Sequence, residues 1–237
     1  MSTGKVQKNQ ERERPSIKAV IFDFDGLIVD SEPLWTDARN EVLGQFGFSV
    51  TSEDKRRTMG GGYREGLNYF IVRYRLPLSD DDFAAQEQAI LDELYKTKLT
   101  FKPGVTELVN SLKKFGVPLA IATSGPRSRL NSALEKLSLT GIGVVVTGDD
   151  IEKGKPDPEI FIKTANKLGA DPKFCVVLED SPLGVMAARA AGMHPIAVYD
   201  QRYTSEADFT GDSRAEIVVS SLEDLNIQKL LEVFKCE

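Results

Sequence analysis

With 237 residues, a net charge of −6 and a pI near 5.1, the chain can bury a full core, as one large domain or as one domain with an insertion. Lysines and arginines are dispersed among acids, which excludes a basic footprint for nucleic acid, and the acidic balance speaks for solubility. Apolar runs fall far short of the ~20 residues that span a bilayer and no signal-peptide apolar stretch opens the chain, so the expectation is a cytoplasmic protein with no membrane partner.

Residues 1–15 are polar and mixed in charge, with Val6 as the one large aliphatic residue besides Met1, and read as a disordered tail. The apolar run Ala19–Phe22 follows and ends in Asp23-Phe24-Asp25-Gly26. If the run is a strand, alternation puts Asp23 and Asp25 on the same side where the chain leaves the sheet. Two acids so close repel unless a cation lies between them or one keeps its proton; Mg²⁺, which prefers oxygen ligands, would relieve the strain.

From about Ser31 to Lys102 come helix-period segments, Pro33–Phe46, Glu65–Arg73 and Asp82–Lys96, with no clear strand. This stretch is too long for one crossover and reads as a helical domain inserted after the first strand. Pro103-Gly104 marks the return. Beyond it, β-type runs at Val117–Ala122, Val144–Val146, Phe174–Leu178, Pro195–Val198 and Ile217–Val219 alternate with helix patterns at Gly104–Phe115, Ser128–Leu137, Pro158–Leu168 and Leu183–Ala191. The predicted fold is therefore α/β, a doubly wound parallel-sheet, Rossmann-like core (residues 16–32 and 103–237) with an inserted helical cap (residues 33–102).

In open α/β sheets, ligands bind beyond the carboxyl ends of the strands. Those ends carry Asp23 and Asp25 after the first strand, Thr123-Ser124-Gly125 after the second, Lys155 in Gly154-Lys155-Pro156-Asp157-Pro158 after the third, and Glu179-Asp180 after the fourth. Together they offer an attacking oxygen, a proton carrier, positive charge and donors for equatorial oxygens, the requirements of phosphoryl transfer.

These residues resemble a known family. Phe22-Asp23-Phe24-Asp25-Gly26-Leu27-Ile28-Val29-Asp30-Ser31-Glu32, Ala122-Thr123-Ser124, Gly154-Lys155-Pro156-Asp157-Pro158-Glu159-Ile160-Phe161 and Leu178-Glu179-Asp180-Ser181-Pro182-Leu183-Gly184-Val185 are similar to the four motifs of the haloacid dehalogenase superfamily. The nearer likeness is to its β-phosphoglucomutase-like branch, whose helical cap follows the first motif and which includes sugar-phosphate phosphatases such as 2-deoxyglucose-6-phosphatase. The resemblance implies that Asp23 becomes an aspartyl phosphate and that Asp25 protonates the leaving group and then deprotonates water. It further implies that Thr123, Ser124 and Lys155 hold the phosphate. Asp23, the Asp25 carbonyl and Asp180 would bind Mg²⁺ directly, with Glu179 acting through a water. Gly26 would leave room for substrate. The superfamily's dehalogenases lack the second aspartate, so Asp25 argues for phosphate chemistry.

Singly, these residues have structural readings: Asp25 as a turn residue, Thr123-Ser124 and Asp180-Ser181-Pro182 as helix caps, Lys155 as a solvated lysine. All of them falling at one sheet edge would require four coincidences. Gly60-Gly61-Gly62 follows no strand and reads as a joint in the cap, His194 as structural, Asp80-Asp81-Asp82 as a loop and N-cap, and Cys175 and Cys236 as inert thiols. Trp35, Tyr63 and Arg64 are the candidate cap contacts to substrate, Arg64 because a guanidinium suits a second anion or a row of hydroxyls. The leading expectation is a monomeric Mg²⁺-dependent phosphatase acting on a small phosphorylated metabolite, a sugar or polyol phosphate. A phosphohexomutase is the alternative, weakened because Trp35 stands where mutases of the branch carry histidine. A non-catalytic binding or regulatory module on the same fold ranks last, since every chemical position is occupied.

Overall fold

The computed structural model describes residues 17–58 and 63–235; the N-terminal tail, the Gly60-Gly61-Gly62 joint and Cys236 lie outside them. Six parallel strands form one sheet, β1 (Ala19–Phe22), β2 (Leu119–Ala122), β3 (Val144–Val146), β4 (Cys175–Glu179), β5 (His194–Val198) and β6 (Ile217–Val219), in the order β3-β2-β1-β4-β5-β6. Strand order reverses beside β1, with β2 and β4 as its neighbours in register Phe22↔Ile121 and Phe22↔Leu178. That reversal is the crevice where open α/β sheets bind ligands.

The strands at the centre are continuous apolar runs because both faces are covered. On one face Val20, Phe22, Ile121, Val176 and Leu178 pack with helices α5 (Val105–Lys114), α6 (Arg127–Leu137) and α9 (Ile227–Leu230). On the other, Ala19, Ile21, Ala120 and Val177 meet α7 (Glu159–Leu168) and α8 (Pro182–Ala190). Helix α5 shows the cause in its sequence: Val105, Leu108, Val109 and Leu112, at i, i+3, i+4 and i+7, are its buried stripe.

Between β1 and α5 stand four helices, α1 (Glu32–Gly44), α2 (Ser52–Thr58), α3 (Tyr63–Tyr74) and α4 (Asp80–Lys98). They share an apolar cluster of their own, Val42, Leu43, Leu67, Phe70, Leu76 and Phe83. Leu91 and Tyr95 near the end of α4, with its C-cap Leu99, belong to the sheet-side cluster, so one helix is anchored in both. Chain entry and exit are tied together: Lys102 N–H donates to Ile28 O at 2.9 Å and Asp30 N–H to Thr100 O at 3.0 Å. The acids expected as a loop form the first turn of α4 instead, because Ser79 takes the N-cap in a capping box with Asp82. Among the described residues, no helix is long and apolar enough to cross a membrane.

Candidate active site

Asp23 is the first residue past β1, and its N–H donates to Leu178 O at 3.0 Å, which fixes it against β4. Its side chain is nearly buried, and Lys155 Nζ donates to Oδ1 at 2.5 Å. The same ammonium donates to Glu179 Oε1 at the end of β4. Burial pushes the Asp23 carboxyl up to about 8; Lys155 pulls it back, while Glu179 and Asp25 push it further. Burial disfavours charge on Lys155, yet Asp23 and Glu179 outweigh it and hold the amine protonated.

Asp180 follows β4 and lies over the loop after β1. A Cβ on Gly26 would sit 2.1 Å from Asp180 Oδ2, so the space this glycine opens is filled by a carboxylate of the site rather than left for substrate. The Asp180 carboxyl is driven well above its ordinary range by burial, then by the charges of Glu179 and Asp23. Glu179 is fully engaged: Oε2 accepts from Ser181 N and Oγ, both at 2.9 Å, and Oε1 from Lys155. Gly184 permits this, because a Cβ there would stand 1.8 Å from Glu179 Oε1.

Among the described residues, no three metal-ligating side chains converge on one point. The candidate donors are the carboxylates of Asp23 and Asp180, both raised by burial and by neighbouring acids, a repulsion that a cation would relieve. Two carboxylates with the remaining positions left to water suit Mg²⁺, which gives up its hydration reluctantly. The residues present therefore fit that ion.

Asp25 is gripped from both flanks. Tyr95, from α4, donates its hydroxyl to Oδ1, and Thr123 Oγ1, beyond β2, donates to Oδ2 at 3.3 Å. Thr123 Oγ1 also accepts from Gly125 N at 3.1 Å, while Ser124 is exposed at the same turn. Neither residue caps α6, whose N-cap is Pro126. Ser181, by contrast, does cap α8, accepting from Gly184 N at 3.0 Å. Asp25 and Thr123 share a narrow recess with Phe24, Gly125, Pro126, Leu130 and Arg129.

Tyr95 and Arg129 were not singled out from sequence. Tyr95 reads as one more large residue on a buried stripe, and Arg129 is one of two arginines two positions apart. Of the expected cap contacts, Trp35 lies nearest the recess, its ring centroid 4.8 Å from the Arg129 guanidinium and 5.9 Å from the ring of Tyr63. Tyr63 is partly exposed at the start of α3. Arg64 is turned to solvent and paired at 3.0 Å with the exposed Asp81. His194 is held by Glu216 at 2.7 Å and Lys173 O at 3.0 Å, a structural tie, and Cys175 is buried with its thiol pushed up to about 11 by desolvation.

A family model described as haloacid dehalogenase-like hydrolase matches residues 20–198. A phosphorylated carbohydrates phosphatase of Thermotoga maritima is 36% identical over 181 residues, covering 76% of this chain and 84% of that protein. A probable pseudouridine-5'-phosphatase of Drosophila melanogaster is 35% identical, covering 86% and 89%. The crystal structure of CbbY from Rhodobacter sphaeroides in complex with phosphate superposes with a TM-score of 0.76 at 25% identity, over 90% of this chain and 99% of that one.

Proposed function

The chain belongs to the haloacid dehalogenase-like hydrolases and is a phosphatase of that family; on that premise we propose that it hydrolyses small sugar or polyol phosphates, with Mg²⁺, through transfer of the phosphoryl group to Asp23. The observation that carries the proposal is the meeting of Lys155 with Asp23, 132 residues away in sequence, and with Glu179, with Asp25 and Asp180 beside them. Relatives named for phosphorylated carbohydrates and for glycerol 3-phosphate support the substrate class.

Lys155 holds Asp23 Oδ1, leaving Oδ2 without a hydrogen bond among the described residues. Oδ2 is the atom that attacks phosphorus. The leaving alkoxide takes a proton from Asp25, which the Tyr95 and Thr123 hydroxyls keep in place. Asp25 then removes a proton from the water that opens the aspartyl phosphate. Thr123, the Ser124 N–H and Lys155 hold the equatorial oxygens. Asp23, Asp180 and the Asp25 carbonyl would hold Mg²⁺, which supplies charge neutralisation for the phosphoryl oxygens. Helices α1–α4 act as a cap over the crevice that excludes bulk water.

Asp23→Asn should abolish phosphate release from a panel of phosphomonoesters in the presence of Mg²⁺. Turnover at the wild-type rate would refute the assignment.

A further inference from the structure

The side chain of Lys155, which brings positive charge to Asp23, is only 9% exposed. An ammonium has three N–H donors, and two of these go to Asp23 Oδ1 and Glu179 Oε1. The same ammonium also lies over the ring of Phe161, 5.2 Å from its centroid. Phe161 is wholly buried in the first turn of α7, in the apolar cluster that covers one face of the sheet. The start of α7 places both partners. Glu159, its first residue, accepts from the N–H groups of Glu152 at 3.1 Å and Lys153 at 2.9 Å, and its own N–H donates to Asp157 Oδ1 at 3.0 Å. The loop that carries Lys155 is thus tied, on both sides of the lysine, to the helical turn that carries the ring.

Aliphatic carbon beside a desolvated cation compensates none of its charge, whereas the face of an aromatic ring is negative and attracts it. The other side chains that α7 buries, Ile160, Thr164 and Ala165, have no such face. Asp23 and Glu179 pull the ammonium along two directions, and a lysine stem bends easily between them. A third attraction, from the ring, limits that freedom. We propose that Phe161 is a positioning residue, whose ring holds the Lys155 ammonium where it grips Asp23 Oδ1 and leaves Oδ2 free for phosphorus. This inference rests on the phosphatase reading above.

The test places mono-, di- and trifluorophenylalanine at position 161, because each fluorine drains the negative face while the ring keeps its shape. With p-nitrophenyl phosphate and Mg²⁺, kcat/KM should fall with every fluorine, by about tenfold at the third. Tm should fall along the same series by about 4 °C. In Lys155→Met, where no cation is left to feel the ring, the series should move Tm by less than about 1 °C. Should Lys155→Met fail to fold, the kcat/KM series decides alone. A ring that only fills space would tolerate fluorine, so kcat/KM within about twofold of wild type throughout would overturn the proposal, as would equal Tm losses in the two backgrounds. A wild type inactive on this ester would overturn the phosphatase reading and the positioning role with it. The Tm series needs no turnover, which keeps that failure apart from failure of the ring contact.

Discussion

Gly26→Ala perturbs the site through a single methyl group. Gly26 has φ of +82°, and an L-residue held in that region costs about 1–2 kcal/mol. The new Cβ would lie 2.1 Å from Asp180 Oδ2, whereas ordinary contact begins at 3.4 Å, so the carboxylate must retreat by 3.4 − 2.1, about 1.3 Å. A misplacement of ~1 Å in a reacting constellation costs about 10²-fold in rate. Phosphate release measured across a Mg²⁺ titration should therefore show kcat reduced about 10²-fold and a higher Mg²⁺ concentration at half-maximal rate. Tm should fall by only about 2–8 °C, at ~2–4 °C per kcal/mol for a chain of this size. A kcat within threefold of wild type with an unchanged Mg²⁺ requirement would show that Asp180 does not serve the metal from the position seen here.

The helical insert and the loop after β5 carry two further expectations. Asp54 accepts from Thr51 N and Oγ1, Tyr69, Tyr74 and Arg73 at 2.6–2.9 Å. Burial alone would raise its carboxyl, but these donors hold it below the usual range, so Asp54→Ala, which strands those donors while Arg73 keeps Glu53, should cost about 1–3 kcal/mol. Urea unfolding would read this, and a loss under ~1 kcal/mol would contradict it. Asp200, partly buried, is likewise held low despite desolvation, by Arg202 and Lys102, and Arg202 goes on to Asp30 at 2.5 Å. A depressed carboxyl stabilises the fold above its unfolded value of ~3.9, and that contribution is lost as pH falls through the folded value. Melting curves should thus show wild type losing stability below about pH 4, with Asp200→Asn less stable at neutral pH and less sensitive to acid; parallel pH curves for the two would count against this.

The sheet was legible because its strands are short apolar runs bounded by glycine, proline and acids, and each of the six falls within a residue or two of its expected position. Helix α2 was not, because Ser52-Glu53-Asp54-Lys55-Arg56-Arg57-Thr58 has no apolar period; the anchor that stands in its place is the buried carboxylate of Asp54, whose partners lie up to 20 residues away. At the site, local spacing on a strand end marked the acids, and motif order marked Lys155. Tyr95 and Arg129 meet the site only through the packing of α4 on α6, and sequence distance hides that. The aim of Arg64 could not be read at all, since its ion pair with Asp81 decides it.

On the proposed reading, the charge balance around Asp23 calls for a cation beyond its lysine. The Lys155 ammonium is shared between Asp23 and Glu179, and the charges of Asp25 and Asp180 bear on the same cluster of acids. A phosphomonoester brings about two more negative charges to this point. Each pair of like charges ~4 Å apart opposes binding by about 4 kcal/mol at an effective dielectric near 20. Arg129 borders the recess but faces Trp35, Tyr95 and Gln88, so it adds positive potential without neutralising the carboxylates. On the proposed reading, a divalent ion held by Asp23 and Asp180 would remove repulsion from both at once.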